Sequence, residues 1–264
     1  MSYKQLLDHL WSDYSDRNPQ AKKIHQLFLS QGEAVQNDHI ALRTFNDPRV
    51  NIEKLSQFFL DYGFEEKGEY HFTEKKLFAK HFEHQDPLAP RVFISELLTE
   101  QFSPRLQKTA KECVDSIPTL LFSSETLLSS GASWMPSYST YKSLLQESEY
   151  AAWMYAFGYC ANHFTVNVNA LKGFGQLQEV NDFLEKNGFA LNLSGGSIKG
   201  TPDEYLEQSS TLADKIDVLF KEGTYRIPFC YYEFAKRYPL PNGKLYSGFV
   251  ATSADKIFES TNSR

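Results

Sequence analysis

The chain has 264 residues, of which 41% are hydrophobic and 23% are charged, and its formal net charge is −6. This balance is typical of a folded globular protein and excludes an intrinsically disordered chain. No cluster of lysines and arginines follows the pattern that tracks nucleic-acid phosphates, and no apolar run is long enough to span a bilayer. We therefore expect neither nucleic acid nor a membrane as a partner.

The cysteines and the opening segment indicate a compartment. Cys113, Cys160 and Cys230 cannot all pair with one another, and none belongs to a C-x-x-C motif. The segment MSYKQLLDHLW carries no signal-peptide core. These features are typical of a reducing cytoplasm, so a cytoplasmic location is predicted and a cysteine zinc site is disfavoured.

The first two predicted elements are helices. Residues 3–12 have the pattern of a short amphipathic helix. In the helix that follows, Asn18 can cap the N-terminus, Pro19 fits the first turn and Gly32 ends the helix.

A strand-rich unit follows over about residues 36–98. HIALRTF alternates as a half-buried strand does, and NIEKLSQFFLDYGF predicts a helix capped by Asn51 and ended by Gly63. Three short strand-like runs come next: EEKGEYHFT, KLFAKHFE and RVFISEL. The predicted order is strand, helix, strand, strand, strand.

The same order returns over about residues 161–238. HFTVNVN alternates, QLQEVNDFLEKNGF predicts a helix, and FALNLSG and IPFCYYEF are strand-like. The interval from His39 to Gly63 differs by only one residue from the interval between His163 and Gly188. An additional stretch, TPDEYLEQSSTLADKIDVLF, predicts an inserted helix.

These patterns predict an α+β fold in which two divergent β-α-β-β-β units form a curved, partly closed sheet around a metal site. Because one such unit cannot bury its sheet face alone, the two are expected to pack together as a single domain over residues 1–264. Residues 1–35 and 99–160 are then mainly helical additions.

Three side chains in this arrangement indicate a metal. His39 and His163 begin the first strand of their units, and Glu233 lies in the last strand of the second unit. Since alternate side chains of a strand share a face, all three can point into the shared concave space. Two histidines and one carboxylate on one side of a metal are typical of non-haem Fe(II) enzymes.

Each of these residues also has a structural interpretation. A single histidine in a strand is more often a hydrogen-bonded core residue, and Glu233 can pair with Lys236 or Arg237. A carboxylate in so apolar a run as FCYYEF is costly unless it is paired or metal-bound, which favours a ligand. Glu96 in RVFISEL can be a fourth metal ligand, a carboxylate that holds a histidine ring, or part of a salt bridge.

Further residues are candidates for contact with a substrate. Arg43 shares a strand face with His39, and its planar guanidinium suits a carboxylate; the alternative is an internal salt bridge, for example with Glu96. His81 and His84 are three residues apart, do not share a strand face, and are interpreted as surface residues. The remaining substrate-pocket candidates are Ser197, Lys199, Gln208, Ser209 and Tyr231.

A family resemblance is carried by five segments: DHIALRTF, VFISELL, NHFTVNVN, GGSIKGTPDEYLEQSSTLAD and IPFCYYEFAKRYP. Together they resemble the 2-oxoadipate dioxygenase/decarboxylase family, which is related to the vicinal oxygen chelate fold. The resemblance covers most of the chain. It implies that His39, His163 and Glu233 are metal ligands and that Arg43 engages a substrate carboxylate.

The resemblance also implies a reaction. It is the Fe(II)-dependent oxidative decarboxylation of 2-oxoadipate with O2, which gives 2-hydroxyglutarate and CO2 in lysine catabolism. The chain is shorter than better-known members of the family, so another 2-oxo acid stays open as its substrate.

Two other functions stay open. One is a metal-dependent isomerase, lyase or hydrolase of the vicinal oxygen chelate type, with Zn or Ni as a Lewis acid; a fourth ligand at Glu96 would favour it. The other is a non-catalytic small-molecule binding protein. Because histidine and glutamate suit several metals, Fe(II) is expected and Zn, Ni or Mn are alternatives.

Overall fold

The computed structural model describes residues 2–250. Within this range no helix combines the length and the apolar character needed to cross a membrane. The α-helices of this range are α1 (Tyr3–Arg17), α2 (Pro19–Ser30), α3 (Ile52–Leu60), α4 (Pro104–Asp115), α5 (Tyr138–Glu147), α6 (Glu149–Phe157) and α7 (Leu177–Lys186). Its strands are β1 (Asn37–Phe45), β2 (Phe64–Phe72), β3 (Leu77–His84), β4 (Arg91–Leu97), β5 (Ala161–Asn167), β6 (Lys199–Thr201), β7 (Leu206–Ser210), β8 (Lys215–Phe220), β9 (Gly223–Pro228) and β10 (Glu233–Arg237).

Eight of these strands form one curved sheet in the order β2-β3-β4-β1-β5-β10-β7-β6, and β8 pairs with β9 in a separate hairpin. Strands β1 and β5, which begin the two predicted units, are antiparallel neighbours at the centre of the sheet. Each is also parallel to the last strand of its own unit, β1 to β4 and β5 to β10. The prediction of an α+β fold with a curved sheet is confirmed.

The sequence signals at helix ends have the expected effect. Asn51 caps α3 by accepting the backbone N–H of Lys54 at 3.1 Å, and Asn18 caps α2 in the same way. Such caps contribute about 1 kcal/mol each. After α3, Gly63 has a φ of +90°, and after α7, Gly188 has a φ of +83°. Glycine adopts this left-handed conformation without a steric penalty, so both helices end sharply and return the chain to the sheet.

Helices bury one face of the sheet and leave the other to line the concave space. α3 packs on β3 and β4, α7 on β7 and β10, and α1 on β5. In β1, Ile40 and Leu42 are fully buried and alternate with His39, Ala41 and Arg43. Because neighbours in a strand point to opposite faces, His39 and Arg43 face away from Ile40 and Leu42.

Two stretches differ from the predicted elements. Helix α1 extends to Arg17 instead of ending near residue 12. The inserted helix is wrong: Thr201 caps only a short 3-10 turn, Tyr205 adopts a left-handed φ of +62°, and strand β7 follows. Residues 215–228 form the β8–β9 hairpin, whose exposure alternates from residue to residue. This period of two fits a hairpin and not a helix.

The predicted strands of the second unit are also divided differently. FALNLSG contributes one isolated β-bridge and no regular strand. In IPFCYYEF, β9 ends at Pro228 and β10 begins only at Glu233, with residues 229–232 buried between them. Glu233 is therefore the first residue of β10, where it pairs with Thr165 of β5.

Candidate metal centre

Two β-bulges at the junction of β1 and β5 shape the candidate site. On β1, the pairing with β5 is interrupted between Asn37 and His39, so Asp38 is an extra residue. On β5, the pairing skips Asn162, immediately before His163. A bulge bends its strand and re-aims the neighbouring side chains, and bulges are common beside active sites. In both strands the bulged residue directly precedes a histidine.

Each bulged residue contacts the ring of the histidine that follows it. Oδ1 of Asp38 lies 2.8 Å from Nδ1 of His39, and Oδ1 of Asn162 lies 3.0 Å from Nδ1 of His163. Burial opposes the ionisation of Asp38, but Arg237 and His39 outweigh it and hold the pKa of Asp38 well below its ordinary value. An ionised carboxylate only accepts hydrogen bonds, so Nδ1 of His39 carries the proton. Its Nε2 then accepts from the hydroxyl of Thr165 at 3.0 Å, and a metal ion would take this lone pair in place of the hydroxyl.

The two Nε2 atoms converge on the carboxylate of Glu233. Nε2 of His39 lies 3.5 Å from Oε1, and Nε2 of His163 lies 3.3 Å from Oε2. One ligand atom from each of the three residues lies within 4.8 Å of the others, and all three residues are buried. The register explains this convergence, because Thr165 pairs with His39 on one side and with Glu233 on the other.

The carboxylate of Glu233 is buried and receives little stabilisation from hydrogen bonds within the protein. Its Oε1 accepts a hydrogen bond from Nε2 of Gln208 at 2.5 Å, while its Oε2 has no hydrogen-bond donor among the described residues. Burial raises the pKa of Glu233 to about 8, against the opposing effect of Gln208. A buried polar atom without a partner costs about 1–3 kcal/mol. A cation beside Oε2 would remove that cost.

Both histidines are neutral near neutral pH. Burial lowers the pKa of His39 against the raising effect of Asp38. Burial, together with the charges of His39 and Arg43, holds the pKa of His163 well below its ordinary value. Neutral imidazoles are the metal-binding form of histidine. Two imidazole nitrogens and one carboxylate oxygen therefore fit a divalent metal ion, and the donor set suits several such metals.

Arg43 is an electrostatic neighbour of this group and also lines a cavity. Its guanidinium carbon is 4.8 Å from the ring centre of Tyr150 and 5.0 Å from that of Trp153. The positive charge of Arg43 depresses the pKa of His163, so the two side chains are electrostatic neighbours. Arg43 lines a cavity of about 290 Å³, and the lining of this cavity does not include the three candidate ligands. Residues that line the cavity include Arg43, Lys75, Lys76, Leu77, Phe102 and Tyr150.

Three of the substrate-pocket candidates, Gln208, Tyr231 and Lys199, lie close to the metal group. A fourth, Ser197, lies in the segment before β6. Gln208 donates to the candidate carboxylate, and the ring of Tyr231 stacks on that of His163 at 4.7 Å between centres. Lys199 pairs with Gln208 across β6 and β7, and its Nζ donates to the backbone carbonyl of Asn192 at 2.5 Å. Ser197 is half-buried in the segment before β6.

Two candidates lie elsewhere, which corrects the sequence analysis. Oγ of Ser209 donates to Oδ1 of Asn181 in α7 at 2.7 Å, so it faces the helices. Oε2 of Glu96 accepts the backbone N–H of Ile52 at 2.9 Å, at the start of α3. Glu96 pairs with Thr44, one residue beyond Arg43, and thus points to the opposite face. Its carboxylate interacts with a helix N-terminus and is not part of the group of candidate ligands.

The residues that hold the histidines were not predicted from the sequence. A signal for Asp38 and Asn162 was present, since an Asp-His and an Asn-His dipeptide begin the two equivalent strands. Arg237 was considered only as a partner of Glu233. The structure pairs it with Asp38, through Nε to Oδ2 at 2.6 Å and Nη2 to Oδ1 at 2.8 Å.

His81 was also misjudged as a surface residue. It is buried, with its ring nitrogens 2.9 Å from the hydroxyl of Tyr70 and 3.0 Å from Oε1 of Glu83. A Cβ on Gly68 would lie 3.0 Å from the ring, so the glycine leaves room for it. The odd spacing of His81 and His84 does place them on opposite faces, and the face of His81 is the inner one.

The chain is similar to the proteins of one known family over almost its whole length. The model of the 2-oxoadipate dioxygenase/decarboxylase family matches residues 2–128 and 122–246. This chain belongs to that family. A chloroplastic 2-oxoadipate dioxygenase/decarboxylase of Arabidopsis thaliana is 36% identical over 98% of this chain and 77% of that protein. A chloroplastic/amyloplastic one of Oryza sativa subsp. japonica is 37% identical over 98% and 79%. The resemblance is confirmed, and the chain is an enzyme of the dioxygenase/decarboxylase kind.

Solved structures support the same fold. The hydroxyglutarate synthase of Oryza sativa, in complex with 2-oxoadipate, has a TM-score of 0.93 and 36% identity, over 99% of this chain and 92% of that chain. A protein of Shewanella frigidimarina NCIMB 400 has a TM-score of 0.90 and 51% identity, over 94% and 97%. A glyoxalase superfamily protein of Ralstonia eutropha JMP134 has a TM-score of 0.76 at 18% identity, over 92% and 84%, and shares the fold.

The prediction of a cytoplasmic location is wrong. Both named plant relatives are plastid proteins, one chloroplastic and the other chloroplastic/amyloplastic. The prediction rested on cysteine usage and on the lack of a signal-peptide core. That core marks secretion and carries no information about plastid targeting, which uses a different kind of segment.

Proposed function

We propose that this chain catalyses the Fe(II)-dependent oxidative decarboxylation of 2-oxoadipate, in which O2 is consumed and 2-hydroxyglutarate and CO2 are formed. One observation carries the proposal. His39, His163 and Glu233 offer three ligand atoms within 4.8 Å of one another in a member of the dioxygenase/decarboxylase family. A set of two histidines and one carboxylate leaves coordination positions open for a substrate and O2. On the basis of the family alone, the proposal also places the reaction in lysine catabolism.

The placement of Glu96 supports this function over a Lewis-acid enzyme with four protein ligands. A fourth ligand at Glu96, beside the two histidines and Glu233, would have favoured that alternative. Its carboxylate instead bonds the backbone of Ile52 on the helix side of the sheet. The described residues supply three candidate ligands, which is the number that a facial site needs.

In this proposal, His39, His163 and Glu233 would hold the metal. Fe(II), when bound there, supplies the redox chemistry toward O2 that amino-acid side chains lack. The protein supplies the geometry. Asp38 and Asn162 keep a proton on Nδ1 of each ring, so that both Nε2 lone pairs face the same point. Gln208 holds one oxygen of Glu233 and leaves the other for the ion.

Arg43 is proposed to bind the carboxylate of the substrate that is remote from the reacting end. A guanidinium presents a planar fork that fits a carboxylate. The rings of Tyr150 and Trp153 lie against the guanidinium of Arg43 and restrict its orientation. The adjoining cavity of about 290 Å³ is close to the lower end of ligand-site volumes, which suits a small acid. The complex of the rice relative with 2-oxoadipate, at 36% identity, supports a substrate of this class.

The surroundings of the group favour a dry site. Tyr231 and Phe249 contact the rings of His163 and His39, with ring centres 4.7 Å and 4.8 Å apart. Exclusion of water strengthens the interaction of Arg43 with an anion and protects reactive species from side reactions.

The test is an oxygen-uptake experiment on the metal-loaded enzyme. The chain is stripped of metal, loaded anaerobically with Fe(II), mixed with 2-oxoadipate and then exposed to O2. We expect one O2 consumed and one CO2 released for each 2-hydroxyglutarate formed, and no turnover in the Zn(II)-loaded control. The dicarboxylic homologues 2-oxoglutarate and 2-oxopimelate, tested in parallel, define the preferred chain length. Turnover that persists without O2, or in the metal-free protein, would overturn the proposal.

A further inference from the structure

Arg237 is a buried guanidinium that joins two separate parts of the concave face. Its Nε and Nη2 donate to the carboxylate of Asp38 at 2.6 and 2.8 Å. Its Nη1 donates to the backbone carbonyls of Tyr246 and Gly248 at 3.0 and 2.7 Å. One side of the guanidinium therefore reaches the partner of His39, and the other holds a segment almost at the end of the described chain.

We propose that Arg237 is a positioning residue that fixes both the ring of His39 and the segment 246–249 that covers this ring. The inference deepens the proposed function, because His39 matters to the reaction only if the metal site exists. It assigns no chemical step to Arg237, which does not touch the candidate ligand atoms.

The link from Arg237 to the ring of His39 is the carboxylate of Asp38. Its oxygens accept from Arg237 and from Nδ1 of His39, and Oδ2 is also 3.4 Å from Nη1 of Arg91. A bidentate guanidinium fixes the plane of a carboxylate as well as its charge, which a lysine ammonium does not do. With its plane fixed, Asp38 can hold the His39 ring in the one orientation that directs Nε2 toward Glu233. Loss of the fork would leave the carboxylate buried and free to rotate.

The residue of segment 246–249 that covers the His39 ring is Phe249. Its ring centre lies 4.8 Å from that of His39, 5.0 Å from that of Phe93 and 5.2 Å from the guanidinium carbon of Arg237. Its backbone N–H donates to the hydroxyl of Tyr70 at 3.1 Å. The hydrogen bonds from Arg237 to the two preceding carbonyls thus hold an aromatic ring edge-on against a candidate metal ligand, where it excludes water.

The equivalent histidine of the second unit has no such support. His163 is held by the neutral amide of Asn162 and by stacking on Tyr231, and no arginine bonds Asn162 among the described residues. The hydrogen bonds of Arg237 are therefore expected to position the ring of His39 and not that of His163.

The experiment compares three variants in two measurements. Arg237→Lys and Asp38→Asn test the proposal. Arg49→Lys is the matched control, because Arg49 forms a similar bidentate pair with Asp47 at the surface, at 2.9 and 2.7 Å. The first measurement is the dissociation constant of Co(II), followed by its visible absorption in the metal-stripped protein. The second is amide hydrogen exchange of residues 246–249 in the same metal-free samples.

The expected results separate the effect of Arg237 on His39 from its effect on segment 246–249. Arg237→Lys raises the Co(II) dissociation constant about 10- to 100-fold, the usual effect of losing an outer partner of a metal ligand, and speeds exchange at 246–249. Asp38→Asn raises the dissociation constant but leaves exchange slow, because Arg237 still bonds the two carbonyls. Arg49→Lys changes neither quantity.

Either of two results would overturn a part of the proposal. A Co(II) dissociation constant within twofold of the parent in Arg237→Lys refutes the link to His39, and unchanged exchange refutes the link to Phe249. If Arg237→Lys does not fold, the double variant Asp38→Asn with Arg237→Gln, which leaves no unpaired buried charge, is measured in its place against the same criteria. Failure of the proposed function gives a different result, since the parent would then lack O2-dependent turnover whatever the variants do in these two measurements.

Discussion

The two central strands present equivalent histidines to one carboxylate but support them differently. His39 is backed by the ionised Asp38, which Arg237 grips with two hydrogen bonds, whereas His163 is backed by the neutral Asn162. Both partners fix the tautomer of the ring, but only the charged one also raises the basicity of the ligand. The same bulge in the same strand position thus produces one electrostatically tuned ligand and one that is only oriented.

The concave surfaces beside the two histidines also differ. On the side of the first unit, the rings of Phe249, Phe93 and Tyr70 pack together with centres 5.0 to 5.9 Å apart. On the side of the second unit, Gln208 and Lys199 occupy paired positions of neighbouring strands. An aromatic cluster from the first unit and a pair of polar side chains from the second unit therefore lie beside the candidate metal centre.

The largest expected effect is the loss of a ligand from either side. His39→Ala and His163→Ala should each reduce Fe(II)-dependent turnover by more than the roughly 100-fold that loss of an outer partner costs. Bound iron, measured by elemental analysis after gel filtration, should fall together with turnover. The control is His71→Ala, which removes an exposed histidine of β2 and should retain both. Retention of full turnover in either ligand variant contradicts the assignment.

Arg43 is expected to affect substrate binding and not metal binding. Hydrogen bonds to a charged group contribute about 1.5–3 kcal/mol, so Arg43→Ala should raise KM for 2-oxoadipate by roughly 10- to 100-fold. Arg43→Lys should recover only part of this loss, because an ammonium cannot form the planar fork. Steady-state kinetics with iron content measured on the same samples decide the matter. Loss of iron in Arg43→Ala would show that the residue supports the metal group instead.

The pH dependence of the metal-free protein tests the environment of Glu233. Its folded-state pKa is raised from an ordinary 4.5 to about 8, so the folded protein holds a proton that the unfolded chain has released. Stability should therefore fall as the pH rises toward 8. The lowered pKa values of His39 and His163 act in the opposite direction, but only below about 6.5.

Between pH 6.5 and 8, the change in unfolding free energy is expected to come from Glu233 and not from the two histidines. There the metal-free parent should lose about 2 kcal/mol of unfolding free energy, and Glu233→Gln should lose much less. Urea unfolding at a series of pH values measures this. A bound divalent ion should flatten the loss in the parent, because it favours the ionised carboxylate. Equal slopes in the parent and in Glu233→Gln would contradict the burial argument.

The smallest effect is expected for Glu96, the glutamate in the last strand of the first unit. Glu96→Gln keeps a hydrogen-bond acceptor for the backbone of Ile52 and loses only the charge near the start of α3. This should cost about 1 kcal/mol or less of unfolding free energy and leave metal affinity unchanged. Thermal unfolding and Co(II) titration of Glu96→Gln beside Glu233→Gln compare the two equivalent acids directly. Weakened Co(II) binding in Glu96→Gln would show that Glu96 contributes to the metal site.

The features of the fold and of the site that follow from periodicity and internal repetition could be predicted from the sequence. The histidines were found because two alternating strands, each followed by a helix that ends in glycine, recur at nearly the same interval. The α+β fold and the central placement of β1 beside β5 follow from the same repeat. Glu233 was found because an ionisable side chain in an apolar run needs a compensating partner.

The rest depends on contacts that periodicity does not encode. A bulge breaks the alternation of side chains, so the orientation of Asp38 toward His39 could not be derived from a period of two. Arg237 lies 199 residues from Asp38, and nothing local indicates that pair. The face of Glu96 is set by its parallel register with β1, which is fixed only when the strands assemble. The hairpin β8–β9 was misread because capping residues at Thr201 suggested a long helix where only one turn forms.

An anomalous diffraction map of crystals loaded with Fe(II) under anaerobic conditions tests directly whether the side chains of the three candidate ligands bind one metal ion. We predict a single strong peak within about 2.0–2.3 Å of Nε2 of His39, Nε2 of His163 and a carboxylate oxygen of Glu233. A map without a peak among these three side chains, or with iron held by other residues in their place, would contradict it.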